Sequence, residues 1–423
     1  MPVLTSHPGS RIQMLDVIQG LALLGLLLVN SQTYSLFAWL NSNQVYQAHL
    51  DKPHTYIPVR FFLHLLVQGP VYPLVSLLFG LAFYRCWQTL QQKAVDANWV
   101  IFRGLCVLFV VGIIHAFGFW FGDSLHQYAL LGFTLLYFVK QSAKTLIVWA
   151  AGLLGVVFLM SIFTLTPFLA TAYPFSVDLA SSDLPAMKMT DVWQLGSYIE
   201  VLQEQIPLFR MRYASIFQQY MSPILYQELL VLLGLAAGKL GLLERLDQFR
   251  LQLSLLLLVI FPLAMLLNGL NTLLALGMFA WPMDLPGDQM QILNVTYLLG
   301  APLLALIYVF EISLYTRKYL QGWTVWVGQV GRMALTNYLL QTLLCMICFY
   351  GYGLGLGGHL TLLKSFVIIT AIYAFQLIFS HLWLSRHEQG PVEWLWAKLA
   401  YRRPAKPLNS TLHPLTENGK TLP

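Results

Sequence analysis

Charge is what this sequence has least of. Of 423 residues only 10% are charged, against roughly 25% in an ordinary water-soluble domain, and that deficit excludes a fold solvated by water on all sides. Cysteine is scarce as well. The four present, Cys86, Cys106, Cys345 and Cys348, have no metal-ligand spacing with histidine. Cys345 and Cys348 fall within the helical run LLCMICFY, where packing is their expected role. No secretory leader is recognisable: MPVLTSHPGSRIQ carries one arginine, and the apolar run after it lacks a small-residue cleavage site, so that run is expected to stay as an anchor. No internal repeat emerges. The glycine-rich GYGLGLGG at 351–358 lacks the lysine of a phosphate loop and reads as a flexible turn.

What is abundant is apolar surface. Hydrophobic residues make up 57% of the chain, the mean hydropathy is +0.65, and the apolar residues gather into runs long enough to cross the ~30 Å hydrocarbon core of a bilayer. The reading is all-α, a polytopic membrane protein of about ten helices at 15–37, 67–85, 99–120, 124–140, 143–166, 221–240, 250–275, 290–315, 323–350 and 360–384. Residues 1–403 form one membrane domain, with an outer loop and interfacial helices at 167–220, followed by a disordered cytoplasmic tail at 404–423. Seventeen lysines and arginines fall on the side of the two termini, whereas the opposite loops hold Lys52, Arg60, Lys188, Arg210 and Arg212. The positive-inside rule therefore puts both ends in the cytoplasm, and the net charge of +6 is topological, implying no nucleic-acid partner. A reporter fused after Tyr401 should accordingly be cytoplasmic and one inserted near Ser181 periplasmic; a periplasmic C-terminal reporter would contradict the even helix count.

One hairpin holds the densest chemistry. In RGLCVLFVVGIIHAFGFWFGDSLHQYALLG, two apolar arms flank Gly122-Asp123-Ser124, so His115 on the first arm comes level with Tyr128 on the second, and Asp123 faces outward at the turn. Ionisable groups at membrane depth are rare and face a bundle interior or a cavity. The plainer alternative is a histidine bonded between packed helices. His126 shares the hairpin and is expected to matter less than His115. Elsewhere Asp16 and Gln19 share a face of the first helix, Asn30 lies nearer its outer end, and Glu228 lies inside the sixth. Arg332, Asn337, Tyr338 and Gln341 occupy the ninth. A buried Arg332 calls for a carboxylate, and Glu311 at similar depth is the expected partner. Near the C-terminus, His381, Arg386, His387 and Glu393 accompany tryptophans that suit an interfacial anchor.

The blocks LDVIQGLALLGLLLVN, LVSLLFGLAF, VVGIIHAFGFWFGDSLHQYALLG, GRMALTNYLLQT and GPVEWLWAKLAY, in that order, resemble the bacterial YeiB-like family of inner-membrane proteins (domain of unknown function 418). That family is similar to membrane acyltransferases such as lysosomal glucosaminide acetyltransferase and bacterial polysaccharide O-acetylating enzymes. The resemblance implies transfer of an acyl group from acetyl-coenzyme A or another acyl-coenzyme A at the cytoplasmic side to a small-molecule or glycan acceptor at the periplasmic side of the inner membrane. In that reading His115 is general base or acyl carrier, oriented by Asp123 or Tyr128. Asp16, Arg103 and Arg332 lie toward the coenzyme, Asn30, Glu228, Asn337, Tyr338 and Gln341 toward the substrate, and no metal takes part. This chain departs from the family pattern at Gln19, Pro70-Val71-Tyr72 and Ala397, which removes three cations. A proton-coupled transporter using Glu228 and His115, or a non-catalytic envelope protein, are the alternatives; no inverted repeat favours the first.

Overall fold

The structure, a computed structural model, describes residues 14–38, 40, 42–93, 95–163, 191–218, 222–278, 288–318 and 322–401. The expected tail at 404–423 and the stretch 167–190 of the expected outer loop lie outside them. No strand occurs among the described residues, and the chain is an all-α polytopic membrane protein. In chain order the helices are α1 (Met14–Tyr34), α2 (Ser42–Gln47), α3 (Pro53–Leu63), α4 (Gly69–Gln92), α5 (Ala97–Gly118), α6 (Leu125–Phe138), α7 (Ala143–Phe163) and α8 (Tyr198–Gln218). They continue as α9 (Ser222–Leu240), α10 (Arg250–Ala275), α11 (Asp288–Lys318), α12 (Trp323–Arg332), α13 (Ala334–Phe349), α14 (Leu362–Leu384) and α15 (Pro391–Ala400). Among the described residues eight helices are long and apolar enough to cross a membrane, or nine if α12 and α13 count as one broken span. Of the ten expected spans, 124–140 becomes the 14-residue α6, which rises only about 21 Å.

Local chemistry explains the irregularities. α3 and α4 join through a π-helical turn, His64–Gln68. Pro70 has no N–H to give the carbonyl of Leu66, and Tyr308 on α11 donates its hydroxyl there instead, at 2.7 Å. The expected single span 323–350 breaks at Met333, where α12 and α13 meet at 89°. Both sides of the break are capped by side chains, as helix ends require. Asn337 donates to Val330 O at 3.0 Å, and Glu393 accepts the Thr336 amide at 2.9 Å. α12 crosses α1 closely: a Cβ on Gly331 would lie 1.9 Å from the Asp16 carbonyl oxygen, so no larger residue fits there.

The expected Arg332–Glu311 pair does not form. Arg332 donates to Glu388 O at 2.6 Å, and Glu311 lies exposed on α11. The break before Met333 turns α12 away from the depth at which a straight helix would meet Glu311. Arg332→Leu and Glu311→Leu should therefore be additive within about 0.5 kcal/mol, as for sites that share no partner. Substantial rescue of Arg332→Leu by the second change in a detergent melt would contradict this placement.

α8, the expected interfacial helix, begins with a capping box: Ser197 N donates to Glu200 Oε2 at 2.7 Å. It lies across the α5–α6 turn. Gln205 clasps that turn from both sides, donating to Phe119 O at 2.9 Å and accepting from Phe121 N at 3.0 Å. The 351–358 loop is not a free spacer either, since Gly351 N donates to Trp193 O at 2.9 Å beside a buried Trp193.

Candidate functional site

The turn between α5 and α6 folds back onto the bundle. Trp120 N and Phe119 N both bond His115 O at 2.9 Å, and Asp123 N reaches Trp120 O at 3.1 Å. The effect is to carry Asp123 level with His115. A Cβ on Gly112 would meet His126 N at 2.4 Å, so glycine there lets α5 and the start of α6 touch. Within the turn the Asp123 side chain is 0% exposed.

Four donors converge on this carboxylate. His115 Nδ1 lies 3.0 Å and the Tyr338 hydroxyl 3.1 Å from Oδ1; His126 Nδ1 lies 3.2 Å and Leu125 N 2.9 Å from Oδ2. A carboxylate in such company can only accept, so both imidazoles carry their proton on Nδ1. For the neutral ring of His115, 4% exposed, that tautomer places the in-plane lone pair on Nε2. This nitrogen is buried and has no hydrogen-bond partner among the described residues. The ring is held in place by Phe119 and Tyr338, at centroid distances of 5.9 and 5.7 Å. On the outer side Phe209 of α8 packs against the His126 ring at 5.9 Å.

Beside the cluster lies a cavity of about 150 Å³ between α1, α4, α5, α6 and α13. Its wall is mostly apolar, with Gln19, Tyr72, Ser124, Tyr128 and Tyr338 as the polar exceptions. Ser76 gives its hydroxyl proton to Tyr72 O at 3.0 Å, so the Tyr128 hydroxyl is the donor in its 3.0 Å bond with Ser76.

The structure thus gathers His115, Asp123 and Tyr338 and sets the other expected residues apart. Tyr128 bonds Ser76 rather than His115, and packs on Phe79 at 5.2 Å. Asn30 accepts from Tyr72 at 3.4 Å. Glu228 accepts from Thr134 on α6 at 2.7 Å, with Oε2 buried and unpartnered. Asn337 and Gln341 belong to a buried ladder between α13 and α14: Asn337 donates to Ser380 at 2.9 Å and Gln341 to Gln376 at 3.0 Å. Asp16 is buried where α1 crosses α12. Arg103 donates to Leu399 O at 2.7 Å, as Arg332 does to Glu388 O, so both arginines hold the C-terminal segment.

Sequence reasoning named His126 and Tyr338 among its candidates and missed Gln205. His126 carried a usable signal, the i,i+3 spacing from Asp123 at a helix start. Tyr338 was singled out, but not for a bond to a residue 215 positions away. Gln205 carried no signal at all.

Glu393, read above as part of an anchor, is buried on the N-terminal turn of α13, accepting from both the amide and the hydroxyl of Thr336. Burial pushes its carboxyl above the usual range despite those hydrogen bonds. A raised folded-state pKa stabilises fully below the unfolded value near ~4.3 and is lost as pH rises through the folded value. Glu393→Gln should therefore flatten the pH dependence of a detergent melt between acid and neutral pH. Glu393→Ala should cost about 1–3 kcal/mol by orphaning Thr336.

Comparison with known proteins gives relatives along nearly the full chain. The uncharacterized protein YxaH of Bacillus subtilis (strain 168) is 31% identical over 95% of this chain and 96% of its own length. The uncharacterized protein YeiB of Escherichia coli (strain K12) is 27% identical over 94% and 98%. A 39.9 kDa protein encoded in the amylase 3' region of Bacillus acidopullulyticus is 26% identical over 93% and 94%. The family model described as protein of unknown function (DUF418) matches residues 237–403. That segment holds Tyr338 and Glu393 but not His115, Asp123 or His126. No solved structure matches.

Proposed function

This chain belongs to the YeiB-like DUF418 family of bacterial proteins, and from that premise we propose that it is an acyltransferase of the cytoplasmic membrane. It moves an acyl group from a thioester to a hydroxyl or amine acceptor at the outer side. The observation that carries the reading is His115 Nε2, a buried, unpartnered nitrogen whose tautomer is fixed by Asp123. A base held by an aspartate through Nδ1–H is the arrangement that lets imidazole take a proton and stabilises the cation formed. Here Nε2 accepts the proton of the acceptor as its oxygen or nitrogen forms a bond to the acyl carbon. The carbon–sulfur bond then breaks, and the imidazolium returns the proton to the departing thiolate. General-base assistance of this kind contributes typically ~10²–10⁴ in rate.

The adjoining apolar cavity, about 150 Å³, supports a short acyl group, since an apolar void of roughly that size holds a benzene-sized guest. The residues expected to bind the coenzyme do not fit that task as a group. Arg103 and Arg332 hold carbonyls of the C-terminal segment, and Asp16 is buried where α1 crosses α12. The donor is therefore proposed by its reactive group alone, and no step is derived through the coenzyme.

The test is thiol release by purified protein in liposomes supplied with short acyl thioesters and a panel of sugars, alcohols and amines. Release that rises with one acceptor class is expected; none with any acceptor would overturn the proposal. One observation favours the second reading, proton-coupled transport: the unpartnered, buried Oε2 of Glu228. Under that reading Glu228→Gln abolishes solute uptake, whereas the acyltransferase reading leaves thiol release in the same variant near wild type.

A further inference from the structure

A second cavity lies well away from the histidine–aspartate cluster, between α4, α9, α10 and α11. Its volume is about 240 Å³, and every side chain lining it is apolar, including Leu81, Ala237, Leu243, Leu257, Ile260 and Phe310. Protein interiors pack to crystal density and leave few voids larger than a water. An apolar void of this size does not hold water, which would find no polar partner. The material that can fill it in a membrane is hydrocarbon. Access is short, because α10 alone separates the cavity from lipid on one side. Its outer face is strongly exposed, with Leu251 at 70% and Leu258 at 71%.

The mouth is charged. The turn from α9 to α10 closes one end of the cavity through Leu242, Leu243 and Leu246, and the same turn carries Glu244, Arg245, Asp247 and Arg250. Glu244 is neutralised by its ion pair with Arg85 on α4. Arg245 and Arg250 are exposed. With Glu244 paired to Arg85, the turn still carries Arg245 and Arg250 against the single acid Asp247, with Lys239 at the end of α9, so it is net cationic. A cationic rim over an apolar cavity matches one ligand chemistry, a negatively charged headgroup with a hydrocarbon tail. We propose that this cavity binds one acyl chain of an anionic glycerophospholipid from the leaflet facing the α9–α10 turn, with the lipid phosphate on Arg245 and Arg250.

The experiment is native mass spectrometry of the full chain released from nanodiscs of phosphatidylglycerol, of phosphatidylcholine, and of an equal mixture. The wild type should retain one phosphatidylglycerol per chain in preference to phosphatidylcholine. Arg245→Gln with Arg250→Gln, both at exposed positions, should reduce the preference by roughly fivefold per arginine, the weight of one cation near an anionic surface. Leu257→Trp fills the cavity and should abolish retention of either lipid. Equal retention of the two lipids by wild type, unchanged in the double arginine variant, would overturn the headgroup assignment. Retention by a correctly folded Leu257→Trp would overturn the cavity. Should Leu257→Trp fail to fold, the double arginine variant alone decides, and lipid counts unaffected by it refute the site.

Discussion

Asp123→Ala is expected to unfold this protein in detergent well below the wild-type melting temperature, with a loss of at least roughly 3 kcal/mol. The carboxylate is wholly buried and accepts from His115, His126, Tyr338 and the Leu125 amide. Removing it orphans four donors, each of which costs about 1–3 kcal/mol when left buried and unpaired. Asp123→Asn separates stability from chemistry. The amide keeps size and one acceptor oxygen, so the melt should fall by less than in Asp123→Ala. But its NH₂ cannot accept from an imidazole, so one ring must turn over to the other tautomer. Where the equivalent change has been made in a serine-protease triad, turnover drops by about 10⁴, and a loss of that order is expected here. The check is a thermal melt beside thiol release on the same preparations. A melt for Asp123→Ala within about 0.5 kcal/mol of wild type would mean that the four bonds do not converge as described.

The membrane architecture was legible in the sequence because it depends on apolar run length and composition, which neighbouring residues alone determine. Its two misfits were α6 and the α12–α13 break. At α6 the polar turn Gly122-Asp123-Ser124 and Lys140 leave room for only the short helix Leu125–Phe138. At Met333 the helix turns through 89° without a proline; Gly328 and Gly331 precede the break, and Glu393 supplies one of its caps from a distant segment. Within the site, His115 and Asp123 were visible because an ionisable group among apolar residues stands out. Which of Asp123 and Tyr128 bonds His115 was left open. Helical spacing set Tyr128 opposite it, but the turn folds back by a full helical turn, and Asp123 takes that place. Tyr338 and Gln205 come from segments distant in sequence, and only packing brings them to the turn. Arg332 is the instructive error. Glu311 lies exposed on α11, and one bond that Arg332 makes is to a backbone carbonyl, which has no sequence signature.

His115→Gln is the most direct test of the central claim, that Nε2 of this histidine is the working base. Glutamine keeps the approximate size and can still donate to Asp123, so the melt should stay near wild type, in contrast to Asp123→Ala. It has no basic lone pair to take a proton. His126→Gln is the companion: this ring also bonds Asp123, so a moderate loss through displacement of the carboxylate is expected, smaller than that of His115→Gln. The measurement is acceptor-dependent thiol release in liposomes for wild type and both variants at equal folded protein. The account predicts a fall of about 10²–10⁴ for His115→Gln. Full turnover by a folded His115→Gln would contradict it and leave His115 as a packing residue between helices.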